Sequence, residues 1–492
     1  QPAGAPFDAA IRNSNVPAES RAFAFADING DGKLDLYING PSSMVMFSQG
    51  GLHTASVEHT LSGLDGHATA FVDADDDGDV DALVCRNENV EIYLQTNQQW
   101  RQSSVLPTPC SAIASFDADH DGDLDVMVTG VGGTELYNNN RDGTYRPIGR
   151  DVGFSKASLQ GRQILPVDLD NDRDLDLFLF GQDGSTQVWV NDRTWRYEQL
   201  DVPALNDMQV IAATAGDTNA DGLIDLYITR SIPSDEKNPL SFSSEISVIT
   251  FQADGRTNLR QVAQLTEHAV ELTLTDINGD SRQELMVSTK QGVVFLNADG
   301  HEIHQLPANS LVSAQPWNQP EGPGVFILEE NALSYHPPGP GRFPYLSLEL
   351  TGRTESDQMR SNASGLGTRI QVRFDGQWSV LDALDNHSGP GQSLMPVAIG
   401  LGHSAAADYV ALTWSDGVSQ TEIGLAADEL HRIEETQRQL ASCPVIFTWD
   451  GERFRFASDV LGVGGLGFFT EPGASAEPRP FERFLLPTDA LV

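Results

Sequence analysis

One nine-residue acidic segment, repeated six times, constrains this chain more than any other feature. Its fullest copy is Asp73-Ala74-Asp75-Asp76-Asp77-Gly78-Asp79-Val80-Asp81. Carboxylates stand at positions one, three, five and nine, and glycine stands at six. The same frame recurs as Asp27, Asn29, Asp31, Gly32, Asp35, as Asp117, Asp119, Asp121, Gly122, Asp125, and as Asp217, Asn219, Asp221, Gly222, Asp225. Two copies depart from it. Asp168, Asp170, Asp172, Asp176 has Arg173 at position six, and Asp276, Asn278, Asp280, Glu284 has Ser281 there. The first aspartates are 46, 44, 51, 49 and 59 residues apart, counted from Asp27 to Asp276. A period in that range marks an array, a solenoid or a propeller.

The flanks of each segment decide among these. A short apolar stretch leads in (Ala22–Ala26, Ala68–Val72, Ala112–Phe116) and a second leads out (Leu34–Ile38, Val80–Val84, Leu124–Val128, Leu175–Phe180, Ile224–Ile228). The outgoing stretches are apolar on both faces, as in sheets covered on both sides. A third strand and then a more variable fourth complete each unit. Helical periodicity is almost absent. Four strands per unit predict a propeller blade, whose faces are buried only when blades stack in a ring. Residues 310–337 read as one more blade without an acidic segment, so an all-β propeller of about seven blades is expected over 1–341. Residues 1–20 are expected to close the ring as the outer strand of that last blade.

Alternate residues of an acidic loop can turn several oxygens onto one point, and glycine permits the bend that returns position nine as a possible bidentate ligand. Six to eight oxygens at one centre suit Ca²⁺, so about five or six Ca²⁺ ions are expected. Charge counting ranks the loops at Asp73 and Asp117 first and the loop at Asp276 last. At Asp168 the Arg173 guanidinium is expected to oppose the ion. The net charge is −40, and 25 of the 70 acidic residues lie in the six loops. The acidic surplus argues against nucleic acid and anionic membranes as partners. No run has the length of a membrane-spanning helix.

Other chemistry is sparse. The 11 histidines include no His-x-x-x-His pair, and no Gly-x-Ser-x-Gly elbow, phosphate loop or dinucleotide fingerprint is present. Asn362-Ala363-Ser364 and Asn386-His387-Ser388 are glycosylation sequons. Cys85 and Cys110 are placed to meet across neighbouring repeats, as a disulfide or as free thiols, and Cys443 is then left over. The chain opens at Gln1 and ends at Val492 after an apolar piece. The expectation is a secreted or periplasmic protein that has lost a signal peptide, and a fragment of a longer chain.

Pro337-Pro338-Gly339-Pro340-Gly341 marks a domain boundary. Beyond it, Tyr345–Thr351, Thr368–Asp375, Trp378–Ala383, Asp408–Trp414 and Ser419–Ile423 alternate like half-buried strands. They predict a small β-domain over 344–441. A third β-domain is expected to begin in 442–492 with a hairpin, Val445–Trp449 and Arg453–Ala457.

With these motifs in view, the acidic loops resemble the FG-GAP (VCBS-type) repeats of integrin α-chain-like propellers. Asn362, Gly365-Leu366-Gly367-Thr368-Arg369, Ile399-Gly400-Leu401-Gly402 and Val410 to Gly417 resemble the ASPIC/UnbV domain. Ser415 stands where that family usually has proline and Thr368 where it has alanine. The order of the two modules is similar to that of cartilage acidic proteins and their bacterial relatives. The resemblance implies a secreted calcium-binding protein, not an enzyme, with an adhesion, interaction or assembly role and a protein or glycan partner outside the cell. Two alternatives stand beside it: a carbohydrate-processing or other enzyme built on the propeller, and a structural subunit of a surface layer or extracellular complex.

Overall fold

The structure is a computed structural model. It describes residues 4–13, 16–48, 58–59, 64–154, 159–191, 196–233, 242–252, 255–353, 361–436, 445–449, 454–459, 469–471 and 474–475. They fall into two compact units, 1–435 and 436–492.

In the first unit, seven four-stranded antiparallel sheets follow one another among the described residues. Their first strands are Ala22–Ala26, Ala68–Val72, Ala112–Phe116, Gly161–Val167, Ala212–Gly216, Ala269–Thr275 and Leu311–Trp317. Each first strand neighbours the next, and Leu311–Trp317 returns to Ala22–Ala26, which closes a propeller-like ring. Apolar clusters lie between successive sheets. One joins Tyr37 and Val45 to Phe71 and Val84, and another joins Phe25 and Ile38 to Trp317 and Phe326. That stacking is why the inner strands are apolar on both faces.

The seventh sheet is completed from the other end of the ring. Ile11–Asn13 pairs with Ala332–His336 in the register Ile11↔Tyr335, Arg12↔Ser334, Asn13↔Leu333, and Phe7 bridges Pro338. The expected closure by residues 1–20 is therefore present. Cys85 and Cys110 form a disulfide between the second and third sheets.

Residues 345–435 form a two-layer β-domain around Leu348, Ile370, Val372, Val410 and Trp414. One layer orders Gln377–Asp382, Arg369–Phe374, Ala406–Thr413 and Ser419–Ala426. The other places Tyr345–Thr351 between Val397–Gly400 and Leu430–Glu434, the last of these running parallel to it. Sequence periodicity misses Val397–Gly400 and Leu430–Glu434, because each is short and carries little alternation.

The loop between Gln377–Asp382 and Val397–Gly400 enters the centre of the ring. Its backbone and side chains bond to the inner edges of six first strands. Leu394 N–H donates to the Phe25 carbonyl, Gln392 N–H to Thr69, Ile113 N–H to Pro390 and Ser388 N–H to Leu272. The Thr214 hydroxyl donates to the Asn386 carbonyl, and the Ser393 hydroxyl to Gln315 Oε1. Leu384 packs on the cluster that contains Ile164 of the remaining strand. Gly391 is required here, since a Cβ would lie 2.6 Å from the Thr69 carbonyl oxygen. Residues 384–396 thus occupy the axis of the ring. Both sequon asparagines are engaged: the Asn362 amide donates to Leu366 O and the Asn386 amide to Ala215 O.

The second unit shows the hairpin Val445–Trp449 with Phe454–Asp459 and the small pair Phe469–Glu471 with Ala474–Ser475. Cys443, Asp450-Gly451, the glycine-rich 461–467 and Phe484–Leu486 lie outside the described residues.

Gln392 is the most connected residue of the plug. Its amide accepts from Ser115 N–H and donates to Ser115 O. Removing it leaves two buried backbone groups unpaired, and each such loss costs about 1–3 kcal/mol. Gln392→Ala should therefore lower unfolding stability by about 2–3 kcal/mol, read from denaturant midpoints. A shift within error would show that the plug does not hold the ring.

Candidate metal centres

Each acidic loop joins the first and second strands of its sheet, and the six share one hydrogen-bonded skeleton. Position nine opens the second strand, one residue later than the sequence suggests, and pairs with the last residue of the first: Ala26↔Asp35, Val72↔Asp81, Phe116↔Asp125, Val167↔Asp176, Gly216↔Asp225 and Thr275↔Glu284. Its side chain is buried in every copy. One oxygen accepts the N–H of position two, as Ala74 to Asp81 at 2.8 Å and Ile277 to Glu284 at 2.9 Å. In four loops the other accepts a backbone N–H from the third strand or from two residues past its end: Ser48 to Asp35, Gln95 to Asp81, Asn139 to Asp125 and Asn191 to Asp176. In the loops at Asp217 and Asp276 the Asn219 and Asn278 amides take that place. The ninth carboxylate therefore staples loop to sheet.

Position five caps the turn by accepting the N–H of position seven, as Lys33 to Asp31, Asp79 to Asp77, Asp174 to Asp172, Leu223 to Asp221 and Arg282 to Asp280. Position six is left-handed in all six, at φ 80° (Gly32), 90° (Gly78), 89° (Gly122), 81° (Arg173), 85° (Gly222) and 71° (Ser281). Position four is left-handed too, at Gly30, Asp76, His120, Asn171, Ala220 and Gly279. Reading for glycine alone misses this second bend, because only two copies use glycine there. Asp, Asn and His, which tolerate that region best among non-glycine residues, were the available signal.

The loops differ at position one. In four copies both its oxygens accept backbone N–H groups: Asp27 from Asp31 and Gly32, Asp73 from Asp77 and Gly78, Asp217 from Asp221 and Gly222, Asp276 from Gly279 and Ser281. At Asp117 neither oxygen makes a hydrogen bond, although the residue is only 3% exposed. Acidic oxygens converge within 4.8 Å of one another in three groups: Asp73, Asp75 and Asp81; Asp117, Asp119 and Asp121; Asp168, Asp170 and Asp172. In the other three loops Asn29, Asn219 and Asn278 fill position three and accept the N–H of position five.

Desolvation pushes these carboxyls up. Burial takes Asp73 and Asp117 to about 7, Asp81 and Asp176 to about 8 and Glu284 to about 9, with neighbouring acids adding to the rise. A hard divalent cation would offset both the burial and the mutual repulsion, and an all-oxygen donor set fits Ca²⁺.

Family comparison agrees with this geometry. FG-GAP-like repeats match residues 73–128, 117–179 and 168–228, and ASPIC and UnbV matches residues 358–440. The chain carries FG-GAP-like repeats and an ASPIC and UnbV domain. The comparison with curated proteins found no match, so the likeness to cartilage acidic proteins gains nothing from it. Among solved structures, BBS1N in complex with ARL6DN, soaked with lead, is 14% identical, with 68% of this chain and 96% of that one covered and a TM-score of 0.47. An Agrocybe aegerita protein described as recognising non-reducing terminal N-acetylglucosamine is 14% identical over 64% of this chain and 86% of that one (TM-score 0.42). The Neurospora crassa Pan2 WD40 domain is 8% identical over 65% and 90% (TM-score 0.42). The fold is read from the sheets themselves.

The acidic loops meet the second β-domain along one rim of the ring. Arg432 donates to Gly32 O, the Ser364 hydroxyl accepts from Asp73 N–H, and the His120 ring bridges Ser415 O and Asp174. Tyr345 donates to Asp276 O and Gly402 N–H to Gly279 O. Arg173, at the sixth position of the fourth loop, reaches the second β-domain. Its guanidinium lies against Gly417, where a Cβ would come 2.7 Å from Nη1. A cavity of about 1610 Å³ is bounded by the loops at Asp27, Asp217 and Asp276, by Trp378–Asp382, and by Leu384–His387 and Ser393–Pro396 of the plug.

Two predictions follow from the loop chemistry. Raised carboxyls keep protons in the folded chain that the unfolded chain releases near pH 4. Folded protein therefore binds more protons between about pH 4 and the raised values, and stability falls as pH rises through that window. In excess chelator the melting temperature should drop from pH 5 to pH 9, and a level or rising profile would contradict the burial argument. Separately, Ala220 is exposed and left-handed at φ 58°, a conformation that costs an L-residue roughly 1–2 kcal/mol. Ala220→Gly should stabilise by about 0.5–1 kcal/mol, after allowing for glycine's greater unfolded entropy, as measured by denaturant unfolding.

Proposed function

We propose that the chain is a secreted, non-enzymatic binding protein in which Ca²⁺ staples the FG-GAP-like loops and so holds the rim on which the ASPIC and UnbV domain sits. The observation that carries the cation is the Asp117 carboxylate, almost fully buried, with no hydrogen bond to either oxygen and with Asp119 and Asp121 oxygens converging on it. A buried charge without a partner is costly, and a cation is the partner this donor set fits. Asp117, Asp119 and Asp121 would hold it, with Asp125 keeping the loop fixed to its sheet. Binding energy present only in the folded chain is folding energy.

Support for a binding role over a catalytic one comes from the axis of the ring. Residues 384–396 occupy the axis of the ring, where an acid pair would sit, and bond to its first strands. The Asp385 carboxylate is committed there to His387 at 2.7 Å and to Ser393 N–H. Adhesion or assembly with a protein or glycan partner outside the cell remains the reading that fits the acidic surface. No helix among the described residues is long and apolar enough to cross a membrane.

Excess chelator at neutral pH should lower the melting temperature by several degrees or more, with Ca²⁺ restoring it. In calcium titration by calorimetry, Asp117→Asn should lose one tight equivalent. An unchanged melting curve and an unchanged stoichiometry together would remove the cation from this account.

A further inference from the structure

The fourth loop keeps all of its acids yet differs from its neighbours in what faces it. Asp168 is 5% exposed, and its Oδ1 makes no hydrogen bond. Its Oδ2 faces Arg369 Nη1 of the ASPIC and UnbV domain at 3.4 Å. Arg369 opens the strand Arg369–Phe374 and pairs across the sheet with Asp382. Burial pushes the Asp382 carboxyl up to about 6, against the pull of Arg369. One guanidinium thus stands between two desolvated acids from different domains. Arg173, at the sixth position of the same loop, packs on Gly417 of the same domain. Among the described residues, Asp168 is the first-position acid of an FG-GAP-like loop with an arginine ion pair.

We propose that Arg369 is the built-in counter-ion of the fourth loop: its guanidinium takes the place of a divalent cation at Asp168, and this loop binds none while the domain is docked. The inference rests on the cation reading of the other loops. It follows from charge. A monovalent guanidinium held beside the first-position carboxylate supplies the positive charge at that point, and it repels an incoming Ca²⁺ only a few ångströms away. The two cations compete for one carboxylate, so occupancy of this loop and docking of the domain oppose each other. The convergence of Asp168, Asp170 and Asp172 oxygens is then a latent site that the arginine closes.

The test is Ca²⁺ stoichiometry by calorimetry on the full chain, with terbium luminescence as a second readout. Asp168→Asn should leave the number of Ca²⁺ equivalents unchanged, whereas Arg369→Gln should gain one. Arg369→Lys, which keeps the charge, should not gain one. Loss of an equivalent in Asp168→Asn, or no gain in a folded Arg369→Gln, overturns the proposal. If Arg369→Gln does not fold, the Asp168→Asn measurement alone decides. Asp117→Asn, run in parallel, separates this from the parent reading. If it too loses nothing, the cation account fails as a whole rather than at this loop.

Discussion

The ninth-position carboxylate is the interaction on which the rest of the ring depends. It is buried, it opens the second strand, and its oxygens tie the loop to that sheet through backbone N–H groups. An ordinary turn would leave those donors to water. Here they lie under the rim, where an unpaired group is expensive. The acid must therefore be long enough to reach both donors and be placed by the strand rather than the loop. Aspartate at 35, 81, 125 and 176 meets both conditions. Asp225 and Glu284 reach the N–H of position two and take the Asn219 or Asn278 amide in place of the other donor.

This arrangement explains how much could be read beforehand. Blade boundaries were legible because strand, acidic loop and strand recur at a fixed period, and the apolar-on-both-faces pattern of the inner strands follows from stacking. Closure by Ile11–Asn13 was legible from the missing strand of the seventh sheet. The ninth residue reads as a ligand from spacing, and Asp81 does converge with Asp73 and Asp75; spacing does not show the backbone N–H groups that the same carboxylate meets. The left-handed fourth position was hidden because Asp76, His120, Asn171 and Ala220 share no single residue type. Least legible was the plug. Nothing local in residues 384–396 marks a segment whose partners are backbone edges more than a hundred residues away.

The plug makes ring and second β-domain interdependent. A propeller's first strands expose unpaired edges toward the axis, which water or a ligand must satisfy. In this chain Gln392, Ser393 and Leu394 supply those partners from another module. The same module covers the rim through Arg432, Ser364, Tyr345 and Gly402. Across the boundary that composition places at 337–341, each side keeps its own core while the polar groups on the two sides complete each other.

The rim also sorts the loops by how their charge is balanced. The Asp27, Asp73, Asp217 and Asp276 carboxylates lean on backbone N–H groups, which supply partial positive charge at both oxygens. Asp168 has an arginine from the docked domain in addition to the Arg173 and Asn171 backbone N–H groups, and Asp123 has Arg141 at 3.1 Å. Asp117 has no arginine of its own and no well-formed hydrogen bond, the His120 N–H being the backbone group that faces it. His120 beside it is turned toward Ser415 and Asp174, and burial pushes the Asp117 carboxyl up despite that ring's proximity. A set of acids repeated in sequence is therefore not a set of equal sites. The position where the chain supplies least of its own compensation is where an external cation would stabilise most, and the position where a second domain supplies a guanidinium is where such an ion would be redundant.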